Sequence, residues 1–484
     1  MPNRTIKLEK PTLSKNPKNG MDEKPRIRKI FGTDGVRGVA NIEPVTAETA
    51  LKLGRAAAHI IAELGHANHQ AGHRPKIVIG KDTRLSGYML ENALASGIMS
   101  LGVDVILIGP LPTPGVAYIT RSLRADAGIV LSASHNPYED NGIKFFRHDG
   151  YKLDDEIEHR IESLVFSGEI ESIRPTASRI GQAKRIDDAL GRYVEFAKRS
   201  FPRGASLENM RIAVDVANGA AYKSTPCILR ELGANTIVVH DTPNGRNINR
   251  DCGSTYPHEI QRVVKETNAH IGITHDGDAD RALLCDENGE IVDGDEIMAI
   301  AAIDFIKNKR LVQNTLVATI MSNFGLDEAI HSQGGKVVRT KVGDRYVIAE
   351  MMKNKLNLGG EQSGHMIFGD YTTTGDGIVS ALQILRIMME TGKPLSELKK
   401  CLSKYPQAQR NLKVREKIPV EELKGVTALV AEAEKELAGQ GRVLLRYSGT
   451  EPKIRLLIEG RDGDRINIQA DRIAESIQSQ IGAE

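Results

Sequence analysis

Gly128 to Phe146 reads GIVLSASHNPYEDNGIKFF. It begins with an apolar, β-branched run, Ile129-Val130-Leu131, which suits a buried strand. Ser132, Ala133, Ser134, His135, Asn136 and Pro137 then break the run, because small hydroxyl residues, His, Asn and Pro end a strand and build a loop. A second short run, Ile143-Lys144-Phe145-Phe146, follows. This order predicts that Ser134 stands on a loop at the end of a strand, with His135 beside it and Lys144 returning nearby. Open α/β sheets bind ligands beyond the carboxyl ends of their strands, so the loop is a candidate site. The same residue types would also make a plain β-turn-β connection, with Ser134 as a turn residue.

The surrounding sequence supplies the frame. Lys76–Gly80 (KIVIG) and Val103–Ile108 (VDVILI) read as buried strands, and Leu90–Leu101 as a helix between them. Ala47–Leu64 is a long helix with apolar residues at helical spacing. Strand and helix alternate in this way where helices cover a mixed or parallel sheet. The pattern restarts at Arg211–Gly219 (RIAVDVANG), with a helix at Tyr222–Leu232, a strand at Thr236–His240, a helix at His258–Thr267 and a strand at Ile271–Ile273. It restarts again at Leu316–Ile320 (LVATI), with a helix at Leu326–His331. Three rounds of similar size predict three related α/β units. Beyond Pro406 the order changes to a helix at Val426–Leu437, strands at Val443–Arg446 and Ile454–Ile458, and a helix at Ile466–Ile481. This is the pattern of a small α+β domain.

A chain of 484 residues is too long for one core and predicts three or four domains. The expected division is a disordered basic tail at 1–29, α/β domains at 30–185, 186–291 and 292–404, and the α+β domain at 405–484. The tail carries nine Lys/Arg against three Asp/Glu and has little apolar surface to bury. A formal net charge of +2 argues against nucleic acid as a partner. No apolar run approaches the roughly 20 residues that span a bilayer, and no signal peptide is visible. Cys227, Cys252, Cys285 and Cys401 are scattered and read as free thiols in a reducing compartment. The expectation is a soluble, cytoplasmic protein.

Three further blocks carry chemistry. Asp276, Asp278 and Asp280 alternate in HDGDADR. In an extended segment all three carboxylates would point one way. Clustered anions repel unless a cation neutralises them, and all-oxygen ligands suit Mg²⁺. An EF-hand is excluded, since its central Gly and closing Glu do not follow at the required spacing. In GGEQSGH, Glu361, Ser363 and His365 alternate in the same way, so that a carboxylate, a hydroxyl and an imidazole could bond vicinal sugar hydroxyls from one face. RYSGTEPKIR brings Arg446, Ser448, Gly449, Thr450 and Arg455 to one loop. Guanidinium forks, hydroxyls and turn amides make a phosphate cradle. Read singly, the first block could be a solvated acidic turn and the last a polar hairpin tip.

Together the blocks resemble the α-D-phosphohexomutase family. SASHNP followed by DNGIKFF is similar to that family's phosphoserine loop, with Ser134 in the phosphorylated position. HDGDADR, GGEQSGH and RYSGTEPKIR follow in the family's order. Phe31–Gly38 (FGTDGVRG) and Lys341–Arg345 (KVGDR) are similar to its opening and to a third-domain loop. The resemblance spans about Ile30 to the C-terminus. Tyr447, where Lys is often found, departs from it mildly.

The resemblance implies an active site in a central cleft. It implies one Mg²⁺ per chain, held by Asp276, Asp278, Asp280 and the phosphorylated Ser134. Arg37 and Arg281 would stabilise the moving phosphoryl, and His135 or Lys144 would move the proton of the attacking hydroxyl. Glu361, Ser363 and His365 would grip the sugar, and Lys341 would help select it. Arg446, Ser448, Gly449, Thr450 and Arg455 would hold the phosphate that is not transferred. GEQSGH, KVGDR and SGTEP favour the branch that acts on hexosamine phosphates. That activity converts glucosamine-6-phosphate to glucosamine-1-phosphate for UDP-N-acetylglucosamine synthesis, with glucosamine-1,6-bisphosphate or glucose-1,6-bisphosphate as activator, and implies a homodimer. Glucose and mannose phosphates are the alternative substrates. A phosphatase or Ser–His hydrolase leaves the Asp block and the Arg446 loop without a role, and no GxSxG elbow is present. A non-catalytic sugar-phosphate-binding protein would be expected to lose Ser134 or one Asp, and all are intact.

Overall fold

A computed structural model describes residues 30–68, 74–448 and 452–483 of the chain, with the backbone alone at 65–68. The expected tail at 1–29 lies outside the described residues, as do Gly449 and Thr450. The first sheet takes β1 (Phe31–Gly32), β2 (Gly35–Val39), β3 (Lys76–Lys81), β4 (Asp104–Pro110), β5 (Ala127–Leu131), β6 (Asp140–Arg147) and β7 (Ala183–Arg185), in the order β1-β2-β6-β5-β3-β4-β7. The second takes β8 (Arg211–Asp215), β9 (Asn235–Val239), β10 (Ile271–His275), β11 (Ala282–Asp286) and β12 (Ile291–Val292), in the order β12-β11-β10-β8-β9. The third takes β13 (Thr315–Thr319), β14 (Lys336–Thr340), β15 (Leu358–Gly360) and β16 (Met366–Phe368), in the order β14-β13-β15-β16.

These three sheets share a plan. Parallel strands form the centre, and an antiparallel partner follows the last of them: β6 on β5, β11 on β10 and β16 on β15. The connection into that partner begins at the carboxyl end of a central strand, where ligands gather in open α/β sheets. It holds Ser134 in the first sheet, Asp276 to Arg281 in the second and Glu361 to His365 in the third. The common topology accounts for the three similar rounds in the sequence.

The strands of the first sheet are apolar on both faces because helices cover both. Ile77, Ile79, Ile129 and Leu131 pack with Leu53, Leu90 and Leu94 from helices Ala47–Asn68 and Ser86–Ser100. Val78 and Val130 face the other way, into a core that continues through the second and third sheets. The two covering helices approach closely at Gly97, where an added Cβ would stand 2.2 Å from the Leu51 carbonyl oxygen. No helix among the described residues is long and apolar enough to cross a membrane.

The last domain has its own core. Its sheet is antiparallel, in the order β17-β19-β18, from β17 (Gln407–Lys413), β18 (Gly441–Tyr447) and β19 (Lys453–Gly460), beside helices Lys424–Leu437 and Gly463–Ile481. Sequence reasoning expected a hairpin here and missed β17. Its sequence, QAQRNLK, is polar because it is an edge strand that fully buries only Ala408. The domain joins the third through a few polar contacts. Arg442 donates to the Ser322 carbonyl at 2.6 Å, and Phe324 N–H to Glu459 Oε1 at 3.4 Å.

Candidate active site

The Ser134 loop is held from beneath. β5 ends at Leu131 and Ser134 adopts a left-handed backbone with φ of 53°. Ser134 N–H donates to Ser132 Oγ at 2.9 Å, and Ser132 Oγ donates to Asp82 Oδ2 at 2.6 Å. Arg84 is fully buried under the loop. Its Nε donates to Asp82, and its Nη1 and Nη2 groups donate to the carbonyls of Ser134, Asn136, Pro137 and Asp140. A guanidinium has five N–H donors, and here all five are directed to oxygen. Asn249, from the second domain, donates Nδ2 to the Ser134 and Asn136 carbonyls at 2.9 Å each. The loop is therefore fixed before any ligand arrives.

The carboxylate block reaches Ser134 across the domain boundary. Ser134 Oγ donates to Asp276 Oδ2 at 2.5 Å. Gly277 permits that approach, since a Cβ there would lie 2.6 Å from the Ser134 carbonyl oxygen. The expected extended alternation is not how the block is built. β10 ends at His275, and a turn with Ala279 at φ 54° follows. The three carboxylates still converge, with one oxygen of each within 4.8 Å of the others. A turn does this because His275 and the Asp276 oxygens organise its backbone: His275 Nδ1 bonds the Arg281 carbonyl at 3.0 Å, and Arg281 N–H donates to Asp276 Oδ1 at 3.3 Å.

Charges around the block are finely opposed. Burial, then the Asp280 and Asp278 charges, push the Asp276 carboxyl up to about 8. Burial also works against Asp280, but Lys144, His365 and Arg281 outweigh it and hold that carboxyl well below the usual range. Lys144 Nζ sits 2.8 Å from Asp278, 3.2 Å from Asp34 and 3.6 Å from Asp280. These carboxylates overcome its burial and hold it above the ordinary lysine range. His135 Nδ1 is 3.3 Å from Ser134 Oγ. Burial, then the nearby Arg281 and Arg37 charges, push the imidazole down to about 4.

These residues fit a hard cation. Among the described residues Asp278 Oδ1 and Asp280 Oδ1 are buried without a hydrogen-bond partner, a costly arrangement in a dry site, though His365 and Arg281 lie within 3.6 and 3.7 Å of Asp280 Oδ1. The three carboxylates form a group able to hold a metal ion, and all their donor atoms are oxygens. Thr113 braces the group from the first domain, donating Oγ1 to Asp278 Oδ2 at 2.6 Å and N–H to the Asp278 carbonyl at 2.9 Å.

The third domain joins through a buried charge chain. Lys152 bonds both Asp34 and Asp344. Asp34 also pairs with Arg37, which therefore lies beside the Ser134 site. Arg345 pairs with Asp155 at 2.6 Å and Glu158 at 3.1 Å on the first domain. Glu361 Oε1 accepts from Gly343 N–H at 3.0 Å, linking the two third-domain loops. The one-face alternation expected of Glu361, Ser363 and His365 is absent, because the segment turns at Gly364, φ 88°. His365 is turned inward and is 2% exposed. Its Nδ1 lies 3.6 Å from Asp280, its Nε2 lies 3.5 Å from Asp344, and Nε2 accepts from Gly375 N–H at 3.1 Å. Ser363 and Lys341 are exposed.

The Arg446 loop stands apart, on the fourth domain. Arg446 and Arg455 are directly opposed across β18 and β19. Like charges so placed destabilise a sheet pair unless an anion joins them. Burial, then Arg455, push the Arg446 guanidinium down. Both side chains and Lys453 line a cavity of about 270 Å³ that reaches Met321 of the third domain. Ser448 is buried at the loop's start.

Arg84, Asn249, Thr113, Asp34 and Lys152 were not singled out from sequence. A signal for one existed. Lys81-Asp82-Thr83-Arg84 follows an apolar strand directly, at the same sheet edge as Ser134.

A buried serine against a carboxylate cluster, with a separate arginine cradle, defines a phosphoryl-transfer enzyme built from four domains. Family profiles described as phosphoglucomutase/phosphomannomutase match all four: alpha/beta/alpha domain I at 28–171, domain II at 191–289, domain III at 293–405 and the C-terminal domain at 410–476. The chain belongs to this phosphohexomutase family. Among curated relatives, the phosphoglucosamine mutases of Syntrophotalea carbinolica and of an Anaeromyxobacter species are 56% and 54% identical. The matches cover 94% and 95% of this chain and 98% and 97% of theirs. The fold is shared with a phosphoglucomutase/phosphomannomutase family protein from Burkholderia thailandensis, with a TM-score of 0.76 at 24% identity over 94% of this chain and 99% of that one. It is also shared with the Aspergillus fumigatus N-acetylphosphoglucosamine mutase, with a TM-score of 0.62 at 18% identity over 94% and 96%.

Proposed function

We propose that this chain interconverts glucosamine-6-phosphate and glucosamine-1-phosphate through a phosphoserine at Ser134. The contact between Ser134 Oγ and Asp276, inside a group able to hold a metal, carries the reading. The relatives' shared name directs it to the hexosamine phosphates.

In the first half-reaction a free sugar hydroxyl attacks the phosphorus of phospho-Ser134. The new O–P bond forms as the P–Oγ bond breaks, leaving the sugar bisphosphate and the serine. His135, whose imidazole is held neutral, takes the hydroxyl proton and returns it to Ser134 Oγ, 3.3 Å away, while Lys144 stays charged among its carboxylates. The bisphosphate then turns over, and Ser134 Oγ attacks its other phosphoryl. A Mg²⁺ ion held by Asp276, Asp278, Asp280 and a phosphoryl oxygen on Ser134 would neutralise charge in the loose transition state. Arg37 and Arg281 add to that electrostatic stabilisation. Glu361, Ser363 and Lys341 are assigned to the sugar. His365, enclosed among Asp280, Asp344 and Gly375, is assigned to holding that loop against the carboxylate block.

Arg446, Ser448, Gly449, Thr450 and Arg455 are assigned to the phosphate that stays on the sugar. Domain four, with its separate core and few polar contacts to domain three, is the part that closes over the ligand and excludes water. The domain division 30–185, 186–291, 292–404 and 405–484 is retained in this reading.

The test of substrate class is kcat/KM for glucosamine-6-phosphate against glucose- and mannose-6-phosphate on one preparation. Glucosamine-6-phosphate is expected to be favoured by at least about tenfold, a difference of roughly 1.4 kcal/mol in the transition state. Equal values would refute hexosamine specificity and leave a general hexose phosphomutase.

Arg455→Ala separates a mutase from a one-way phosphatase. A phosphatase holds only the phosphoryl it removes, whereas a mutase must hold the other phosphate with the sugar either way round. A charge-assisted hydrogen bond contributes roughly 1.5–3 kcal/mol. The expected loss in kcat/KM is therefore about ten- to hundredfold with glucosamine-1-phosphate and with glucosamine-6-phosphate alike. Phosphorylation of Ser134 should survive, since it lies in another domain. A variant with both directions untouched would remove this loop from the site.

A further inference from the structure

We propose a second metal site in the second domain, where Asp215, His240 and Cys252 would bind a borderline-soft divalent ion such as Zn²⁺. One ligand atom from each lies within 4.8 Å of the others. They come from three different places at one edge of the sheet. Asp215 ends β8, His240 follows β9 directly, and Cys252 lies on the loop between β9 and the helix His258–Thr267. This edge is the carboxyl end of the parallel pair β8 and β9, where Asp215 is opposite Val239. Such edges are where open α/β sheets receive ligands.

The Cys252 thiol is the atom of the three that the protein satisfies least. Cys252 is completely buried, and the one hydrogen bond it makes among the described residues is as acceptor, from Asn218 Nδ2 at 4.0 Å. His240 Nδ1 is buried and paired with Asp215 Oδ1 at 3.1 Å, a contact that raises the imidazole's pKa, and no other partner is found for it among the described residues. His240 also holds a left-handed backbone, φ 55°, which a residue adopts at some cost unless its surroundings fix it. Asp215 is oriented by two backbone donors, Ala217 N–H to Oδ1 at 2.9 Å and Gly253 N–H to Oδ2 at 2.8 Å. Orientation of a ligating carboxylate by such partners is common at metal sites.

The donor set selects the ion. One thiolate, one imidazole and one carboxylate suit Zn²⁺, not the hard ion expected of an all-oxygen group. Tetrahedral bonds of about 2.0 Å to N and O and about 2.3 Å to S place ligand atoms roughly 3.3–3.6 Å apart. The thiol proton leaves to solvent as the sulfur–metal bond forms. Part of the imidazole is exposed, so the fourth position can be water.

The position gives the site a consequence. The loop that carries Cys252 also carries Asn249, whose amide holds the Ser134 and Asn136 carbonyls. Ser254 N–H on the same loop donates to the His275 carbonyl at 2.8 Å, one residue before Asp276. An ion joining Asp215, His240 and Cys252 would brace both walls of the catalytic cleft without touching substrate.

Cobalt(II) is the probe, because a thiolate–cobalt bond gives an intense near-ultraviolet charge-transfer band that the all-oxygen Asp276 group cannot give. Full-length protein is stripped with a chelator and titrated with Co²⁺. The expected result is a thiolate band saturating at one equivalent, removed by added Zn²⁺ and absent in Cys252→Ser. His240→Ala keeps the thiol and changes a partly exposed side chain, and circular dichroism checks that it is folded. It should weaken Co²⁺ binding read at that band by at least tenfold. Asp278→Asn should leave the band in place. No band at stoichiometric cobalt in the wild type, a band that persists in Cys252→Ser, or unchanged affinity in folded His240→Ala would overturn the proposal.

Discussion

Ser134→Ala is expected to abolish mutase turnover, lowering kcat on the order of 10⁶-fold, the scale seen when an enzyme's nucleophile is removed. In the proposed reading the substitution deletes the atom that carries the phosphoryl. Ser132 Oγ is the nearest alternative in sequence, but it is fully buried and committed to Asp82 and to Ser134 N–H. The loop should keep its shape, because Arg84 and Asn249 hold its carbonyls and not its side chain. Sugar phosphate binding should therefore survive, which a titration by calorimetry can read. Peptide mapping of wild-type protein should place the phosphoryl on Ser134. Mapping to Ser132 would mean that the two serines have been assigned the wrong way round.

Asp278→Asn is the second large effect. Asp278 accepts from Lys144 Nζ at 2.8 Å and Thr113 Oγ1 at 2.6 Å, and its other oxygen has no hydrogen-bond partner. An amide keeps the size and loses the charge that a cation would need. It also leaves Lys144 with Asp34 and Asp280 alone, so Lys144 is still partnered and the fold should persist. Removing one electrostatic contact to a transition state costs about 10²–10³ in kcat. The expected result is a loss of that order, with the Mg²⁺ concentration for half-maximal rate raised and thermal stability little changed. Unchanged Mg²⁺ dependence would remove Asp278 from the metal group.

The two effects meet at a site that sequence revealed unequally. The serine loop, the Asp block and the Arg446 loop were legible because each packs its chemistry into a few consecutive residues. The three α/β units were legible because their strands are buried on both faces and read as unbroken apolar runs. β17 was not, since an edge strand with one fully buried residue has no apolar pattern to show. The turn in HDGDADR was misjudged as extended, because alternating carboxylates look alike in a strand and in a turn with Ala279 in a left-handed conformation. His365 was expected to face the sugar. It faces Asp280 and Asp344 instead, a pairing set by tertiary contacts between domains.

The supporting residues were harder to read for the same reason, Arg84 alone having a local signal in Lys81-Asp82-Thr83-Arg84. Arg84 is 50 residues from Ser134 and Asn249 is 115 residues away, and each binds the serine loop through backbone carbonyls. Such contacts leave no mark in the loop's own sequence. The Lys152 bridge between Asp34 and Asp344 spans two domains and likewise depends on the assembled fold.

The most direct measurement follows a labelled phosphoryl. Protein carrying ³²P on Ser134 is mixed with one equivalent of unlabelled glucosamine-6-phosphate and quenched through a single turnover. The label should leave Ser134 and appear in glucosamine-1,6-bisphosphate and then in the sugar monophosphates, with little inorganic phosphate. Label that passes to inorganic phosphate, or that stays on Ser134 while glucosamine-1-phosphate forms, would contradict phosphoryl transfer through this serine.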